Sequence, residues 1–469
     1  MNSQSDSKVK EVDVLVLGGG ISGCTAGIAL LKREDLRVTI IERGDYSEHR
    51  YGESLSSSVR STLEYLGVWQ KFCSTQKQQA FFSQVSWGSA EARRLGYMFT
   101  ENGSGWALDR LAFETMLAET FIERGGSLLT KNQVVTCEAR PQGGWRVLVK
   151  DEHGETYVIY CRFVIDASGR RGVMRTNLNL ALTVHDRLVG VGCIGTYEHS
   201  GAAALENHVE AAEYGWWHVT PMADGKVSIV LMSDPDILNK WHASQPAVWR
   251  ALLSKTTIGK QLGEVELIET PRAFPCYSSY LRCAGGKDWV AVGDAVASFD
   301  PISASGIPRA LATGVHGAFI AVDRLFSDGS LLETYAQAVE QDFRQYLQTQ
   351  WQYYQRENRW PDAVFWARRR AVIALSKDAM IQHVNFYESK ITVQPLHLKC
   401  NEMHDLWNLC QEGKILKQVL QEFQEKHAHI PEQKVLLGLQ ELIEEGYLEI
   451  KPEEEEDCVF FNTERLYFD

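Results

Sequence analysis

The stretch Val12-Asp13-Val14-Leu15-Val16-Leu17-Gly18-Gly19-Gly20-Ile21-Ser22-Gly23 decides how the rest of the chain is read. Residues 12–17 are a compact apolar run, consistent with a strand buried on both faces. The run enters a glycine turn, Gly18-x-Gly20-x-x-Gly23, and continues into residues 24–34, whose small and apolar side chains suit a helix. A second apolar run, Arg37 to Ile41, ends at Glu42. Strand, glycine turn, helix, strand and acid together spell a βαβ dinucleotide-binding unit. Gly18 permits the tight turn, Gly20 lets the backbone approach a pyrophosphate, and Gly23 lets helix and strand close on each other. The helix then points its N-terminal N–H groups and positive dipole end at the anion. Glu42 stands where a carboxylate accepts hydrogen bonds from an adenosine ribose.

Three further segments separate FAD from NAD as the dinucleotide. Phe163-Val164-Ile165-Asp166-Ala167-Ser168-Gly169 is a strand ending in an Asp-Ala-small-Gly turn. Trp289 to Val292 is an apolar strand that meets a second glycine-bearing turn, Gly293-Asp294-Ala295, ahead of a loop and a long helix near 306–326. A carboxylate at Asp294 can hold the ribityl or pyrophosphate region, while the helix points its N-terminus at the pyrimidine edge of a flavin. That positive end stabilises the negative charge a reduced flavin carries near N1. In Leu108-Asp109-Arg110, the arginine is placed to meet a phosphate or the pyrimidine ring.

The fold class that follows is α/β. A Rossmann-like FAD-binding domain is expected to be discontinuous over 10–80, 100–185 and 280–330, with a β-sheet substrate domain inserted at 81–99 and 186–279. Strand-like runs at 187–194 and 226–232, with Gly215 to Pro221 between them, carry the inserted sheet. A helical region follows at 331–399, its aromatics reading as a face packed on the core. From 400 to 469 the character changes. Leu406, Ile415, Val419, Phe423, Val435, Leu439 and Leu442 fall at helical spacings, and Pro431 suits the first turn of a helix. Three helices and a strand make a small winged-helix-like module.

In 469 residues, Lys+Arg number 48 against Asp+Glu 61, a net charge of −13. So acidic a chain is a poor candidate for sequence-independent nucleic-acid binding, and acidic residues also crowd the winged-helix-like segment. No apolar stretch is long enough to span a bilayer, and residues 1–13 lack the apolar core of a secretory signal. The cysteines, 10 in all, are scattered without a CxxC pair. That pattern suits a reduced cytoplasmic protein with neither a disulfide framework nor a metal site. The acidic run Glu453 to Asp457 reads as a solvated strip.

The set GGGISG (18–23), IIERG (40–44), GES (52–54), LDRxxFE (108–114), VIDASG (164–169) and GDAxxxxDPISASG (293–306) resembles the FAD-dependent monooxygenase superfamily typified by para-hydroxybenzoate hydroxylase. The likeness is greatest to its branch of flavin-dependent halogenases and geranylgeranyl reductases, and it spans residues 10–370. It implies FAD contacts at Gly18, Gly20, Gly23, Glu42, Arg43, Arg110 and Asp294, with Ile21, Ser22, Asp166 and Gly293 beside them. It also sets the loop Asp300 to Gly306 beside the isoalloxazine ring, with Pro301, Ser305, Gly306 and Ile307 as contacts. Electrons would come from NAD(P)H or a reductase partner.

Within that branch, tryptophan halogenases carry a Trp-x-Trp-x-Ile-Pro motif. The similar stretch here, Trp216-Trp217-His218-Val219-Thr220-Pro221, departs from it at His218 and Thr220. Lys77 lies out of register for the catalytic lysine, and Ser303 stands where a halogenase carboxylate would. The expectation is therefore oxygen transfer from a flavin C4a-hydroperoxide to an aromatic ring. The candidate catalytic residues are His218, Glu53 and Ser303. His218 reads as a hydrogen-bond or base partner of the ring, or as a satisfied core histidine. Glu53 reads as an active-site carboxylate or a helix cap, and Ser303 as a loop donor.

Asn401 to Ile450 resembles the small peptide-recognition domain of the pyrroloquinoline quinone pathway. The combination is similar to enzymes that hydroxylate a protein-borne tryptophan during tryptophylquinone maturation, which implies a protein or peptide substrate. Four other readings stand beside it: a C-terminal segment that merely caps the flavin domains, a halogenase or small-molecule aromatic hydroxylase, an isoprenoid double-bond reductase, and a flavin-holding chaperone without catalysis.

Overall fold

The apolar run that opens the βαβ unit is the strand Val9–Leu17, and Val14, Leu15 and Val16 within it expose no surface. It pairs in parallel with Thr156–Asp166 on one side and Val38–Ile41 on the other, which is why both its faces are apolar. The computed structural model describes residues 9–48, 51, 53–75, 77–80, 82–96, 105–197, 206–222, 225–370, 380–383, 395, 397–410, 413–444 and 447–451. These form two compact units, residues 1–343 and 344–469.

The first unit holds two large sheets. The Rossmann-like sheet runs in the order Gly285–Gly286, Trp289–Ala291, Thr156–Asp166, Val9–Leu17, Val38–Ile41 and Ser127–Leu129. An antiparallel pair, Gln133–Ala139 and Trp145–Lys150, extends from the Thr156 strand. The helix Ile21–Leu30 is buried along its whole length. Its small residues let the helix Gly306–Phe326 cross it closely, and a Cβ on Gly314 would lie 2.5 Å from the Ser22 carbonyl oxygen. That crossing brings the two glycine turns of the sequence together.

The second sheet is antiparallel except where Asn207–Ala212 pairs in parallel with Phe82–Ser86. Its path is Val265–Leu267, Val189–Tyr197, Lys226–Ser233, Gly215–Pro221, Asn207–Ala212, Phe82–Ser86 and Arg93–Gly96, with Arg272–Pro275 joined to the Val189 strand. Alternation along the strands divides its residues between two faces. Val191, Cys193, Trp217, Val219, Val227, Ile229 and Leu231 pack against Trp249, Leu252, Leu253, Ile258 and Leu262 of the helices Pro246–Leu253 and Thr257–Leu262. The Trp249 indole N–H also donates to the Val191 carbonyl at 3.1 Å. Gly190, Gly192, Trp216, His218, Thr220, Ser228 and Val230 therefore share the opposite face.

In the second unit the helices Cys400–Leu409, Leu416–Lys426 and Glu432–Glu444 surround one apolar core. Their sheet is three-stranded, with Met380–His383 between Lys414–Ile415 and Leu448–Lys451. The boundary drawn at residue 400 is corrected by that pairing. The central strand begins at Met380, and a four-residue strand carries too little pattern to be read as part of the module. The acidic run 453–457 lies outside the described residues. Among the described residues, no helix is long and apolar enough to cross a membrane.

Candidate functional site

The first glycine turn is built by close approach. Gly18 has φ +104, and a Cβ there would lie 2.4 Å from the Ala167 carbonyl oxygen. A Cβ on Gly23 would lie 1.9 Å from the Gly18 carbonyl oxygen. At Gly20, by contrast, a Cβ would meet nothing within 4 Å. Gly20 is also the N-cap of the helix Ile21–Leu30 and has no side chain to cap it. An open cradle thus faces N–H groups at a positive helix end, the arrangement that suits a pyrophosphate.

Glu42 closes the turn from the second strand. Its two carboxylate oxygens accept from the backbone N–H groups of Gly19 and Gly44, each at 2.6 Å. A carboxylate has about four lone-pair directions, so capacity for a ribose remains. Arg43 is exposed beside it. Tyr46, which the sequence did not point to, donates to the Gly19 carbonyl at 2.6 Å, and burial pushes its phenol pKa far up.

The second turn sits against the first. Gly293 has φ +60, its N–H donates to Thr313 Oγ1 at 2.9 Å, and a Cβ there would lie 2.6 Å from Ser22 Oγ. Ile21 and Ser22 are both buried. Asp294 projects from the turn with its side chain 42% exposed, and Arg170 Nε lies 3.5 Å from its carboxylate. Arg170 also donates to the Tyr277 carbonyl and, at 2.8 Å, to Ser298 Oγ. It ties the turn after Asp166 to the turn at Asp294.

Asp166 itself takes a different place from the cofactor contact expected of it. It is buried, and its carboxylate accepts from the Ser168 N–H at 3.0 Å, the Ser168 hydroxyl at 2.5 Å and the Met174 N–H at 2.7 Å. Burial raises its pKa while those bonds pull the other way. The carboxylate shapes the turn from inside and presents nothing outward.

The loop after Asp294 is held by its own residues. Asp300 accepts from the Ile302 N–H at 2.9 Å and, through its carbonyl, from the Ser303 hydroxyl at 3.0 Å. Pro301 opens the short 3-10 turn there, and Ala304 has φ +47, a left-handed backbone rarely taken by alanine. Ser303 and Ser305 hydroxyls are 2.7 Å apart. Neither caps the helix Gly306–Phe326, and a Cβ on Gly306 would meet nothing within 4 Å. A second open helix N-terminus results, as a flavin edge requires. Ile307 is corrected to a core residue, 3% exposed.

Arg309, absent from the sequence reading, lines a pocket here with Gly293, Asp294, Phe299, Gly306 and Asp342. Its guanidinium is bidentate to Asp342, at 2.6 and 2.9 Å, and lies 4.1 Å over the Phe299 ring. A cation in the first turn of a helix opposes the dipole, and that mismatch was the available signal. Arg110, the first residue of the helix Arg110–Glu123, donates to the buried Glu114 at 2.8 Å.

His218 stands on the second sheet, opposite Val209 and Val230, with Nε2 3.3 Å from Thr220 Oγ1. Burial, and then the neighbouring His208, push its pKa down to about 4. The expectation of a base poised near working pH is corrected: the ring is neutral at pH 7. Its hydrogen bonds and those of Ser303 do not connect. Glu53 opens the strand Glu53–Leu55, paired with Leu108, and its side chain lies outside the described residues. Tyr51, just before it, links the two halves. Its hydroxyl donates to the Gly192 carbonyl at 3.0 Å, and its ring stacks on Phe274 with centroids 4.7 Å apart.

The FAD binding domain family matches residues 11–341. LodB of Marinomonas mediterranea, which bears the name FAD-dependent oxidoreductase, is 32% identical over 374 residues, covering 78% of this chain and 99% of that protein. A tryptophan 2-halogenase of Chondromyces crocatus is 26% identical, over 66% of this chain and 60% of its own. The solved structure of CmlS, a flavin-dependent halogenase, superimposes with a TM-score of 0.69 at 23% identity, covering 77% of this chain and 68% of that one. This last likeness concerns the fold.

Proposed function

The chain belongs to the FAD binding domain family and is an FAD-dependent oxidoreductase of the monooxygenase superfamily; from that premise we propose that it hydroxylates an aromatic side chain, tryptophan first among them, borne by a protein or peptide precursor during quinone-cofactor maturation. FAD would be held by the open helix ends at Gly20 and Gly306, with Glu42 at the ribose and Asp294 at the ribityl chain. When bound and reduced, it supplies electrophilic oxygen from O2. One oxygen atom enters the ring, the other leaves as water, and two electrons come from NAD(P)H directly or through a reductase.

The observation that carries hydroxylation over halogenation is the uncharged centre of one face of the second sheet. Across four strands, the rows through Trp216 and His218 hold Ala211, Met232 and Gly190, and Val209, Val230 and Gly192, with no charged residue among them. A lysine to capture hypohalous acid is missing from these rows, and a neutral imidazole serves as acceptor for an indole N–H. Exclusion of water by this face favours oxygen transfer over loss of oxidant.

The test supplies the FAD-loaded protein with reductant, oxygen, bromide and a tryptophan-bearing precursor, and reads intact mass. A gain of one oxygen supports the proposal; a bromide-dependent gain instead makes the chain a halogenase, the reading that the likeness to the tryptophan 2-halogenase favours.

A further inference from the structure

On the face of the second sheet that carries His218, the next row is polar from strand to strand. Asn207 pairs with Ser83. One step past the pairing of His208 with Val219, the same register sets Asn207 beside Thr220, and Thr220 pairs with Ser228. All are buried: Ser83 is 5% exposed, Asn207 2%, Thr220 0% and Ser228 1%. Four adjacent buried polar side chains are not what packing alone selects, since each costs free energy unless it is paired.

The Asn207 side chain is unpaired. Both its side-chain oxygen and its side-chain nitrogen are shut off from water with no hydrogen-bond partner. A carboxamide offers one acceptor and one two-proton donor side by side, and the N–H and C=O of one extended peptide residue, which point the same way, satisfy both at once. His218 lies one row away, joined to the polar row through Thr220 Oγ1. The same face is met at Gly192 by Tyr51, from the segment that follows Glu42.

We propose that Asn207, with Thr220 and Ser228 beside it, is the subsite for the backbone N–H and C=O of one substrate residue, so that this enzyme selects an aromatic residue within a peptide over the free aromatic ring. The inference rests on the reading of the chain as a hydroxylase of aromatic side chains, and it names the group next to the ring that is recognised. An amide that enters the row exchanges water for Asn207. A ligand without one leaves the carboxamide unpaired, and sites of this kind discriminate by at least about tenfold.

The test measures binding of two probes to the full-length, FAD-loaded protein by calorimetry: N-acetyl-L-tryptophanamide and 3-methylindole. Wild type is expected to bind the amide at least about tenfold more tightly. Asn207→Ala and Asn207→Leu should bring the two affinities within about twofold, leaving that for 3-methylindole unchanged. Because the carboxamide has no partner to lose, Asn207→Leu should also keep or raise the melting temperature of the ligand-free protein. Equal affinity of wild type for the two probes overturns the inference and leaves the hydroxylase reading intact. Failure of both probes to bind overturns that reading and the inference with it. A variant that loses both probes equally, or melts lower, assigns Asn207 to structure and overturns the inference alone.

Discussion

Gly20 and Gly23 stand three residues apart and do opposite things. A Cβ at Gly23 collides with the Gly18 carbonyl, whereas at Gly20 it finds open space. Gly23→Ala should therefore destabilise the fold by about 3 kcal/mol, read by denaturant unfolding. Gly20→Ala should melt like wild type but lose FAD affinity by more than about tenfold in a fluorescence titration, because the methyl occupies the cradle. Retention of full affinity would remove the cradle from that place. His218 gives the pH-dependent case. Its folded pKa, about 4, is below the ordinary 6.5, so folding favours the neutral ring. The contribution is complete above pH 6.5 and is lost as pH falls toward 4. It amounts to at most about 3 kcal/mol, since the ring keeps some exposure. Melting temperatures from pH 7 down to 4 should fall more steeply for wild type than for His218→Gln; parallel curves would contradict the buried neutral ring.

At the scale of elements, two open helix ends form the site only when the turns bearing them are tied together. Arg170 is that tie, joining the turn after Asp166 to Tyr277, Ser298 and Asp294. Arg170→Met should remove two hydrogen bonds while the Tyr277 carbonyl and Ser298 hydroxyl keep each other as partners, costing about 1 kcal/mol of stability, and should weaken FAD binding because Asp294 loses its anchor. An unchanged dissociation constant for FAD would show that the second turn holds its shape alone. The helix Gly306–Phe326 was legible in the sequence from its length and the glycine turn before it. Arg170 was not, because its partners lie more than a hundred residues away and an arginine after a glycine turn has no local pattern. Asp166 illustrates the converse. The motif around it was readable, but a motif does not tell whether a carboxylate faces the ligand or the turn behind it.

At the scale of the whole molecule, the family match ends at residue 341, and LodB is spanned to 99% while only 78% of this chain is used. The match to LodB is longer than the first unit and so reaches into the second, which has its own apolar core. A chain ended after Arg370 should keep bound FAD and lose affinity for the precursor by more than about tenfold, measured by anisotropy of a labelled precursor. Unchanged binding would remove the peptide-recognition role from the second unit. The unit was readable as three helices because their apolar positions recur at helical spacing over long windows. Its central strand, Met380–His383, was not, since pairing with Lys414–Ile415 and Leu448–Lys451 is what makes four residues a strand.

Periodicity, glycine placement and the order of turns along the chain were enough to establish a Rossmann-like flavin-binding fold with an inserted sheet, because each reports a local backbone requirement. The tertiary structure alone decided that Gly293 touches Ser22, that His218 is neutral, that Asp166 and Ile307 turn inward, and that Asn207 stands unpaired in a polar row. Each of those depends on which distant atoms share a volume with the residue, and burial, pairing and charge are properties of that shared volume rather than of the neighbours in sequence.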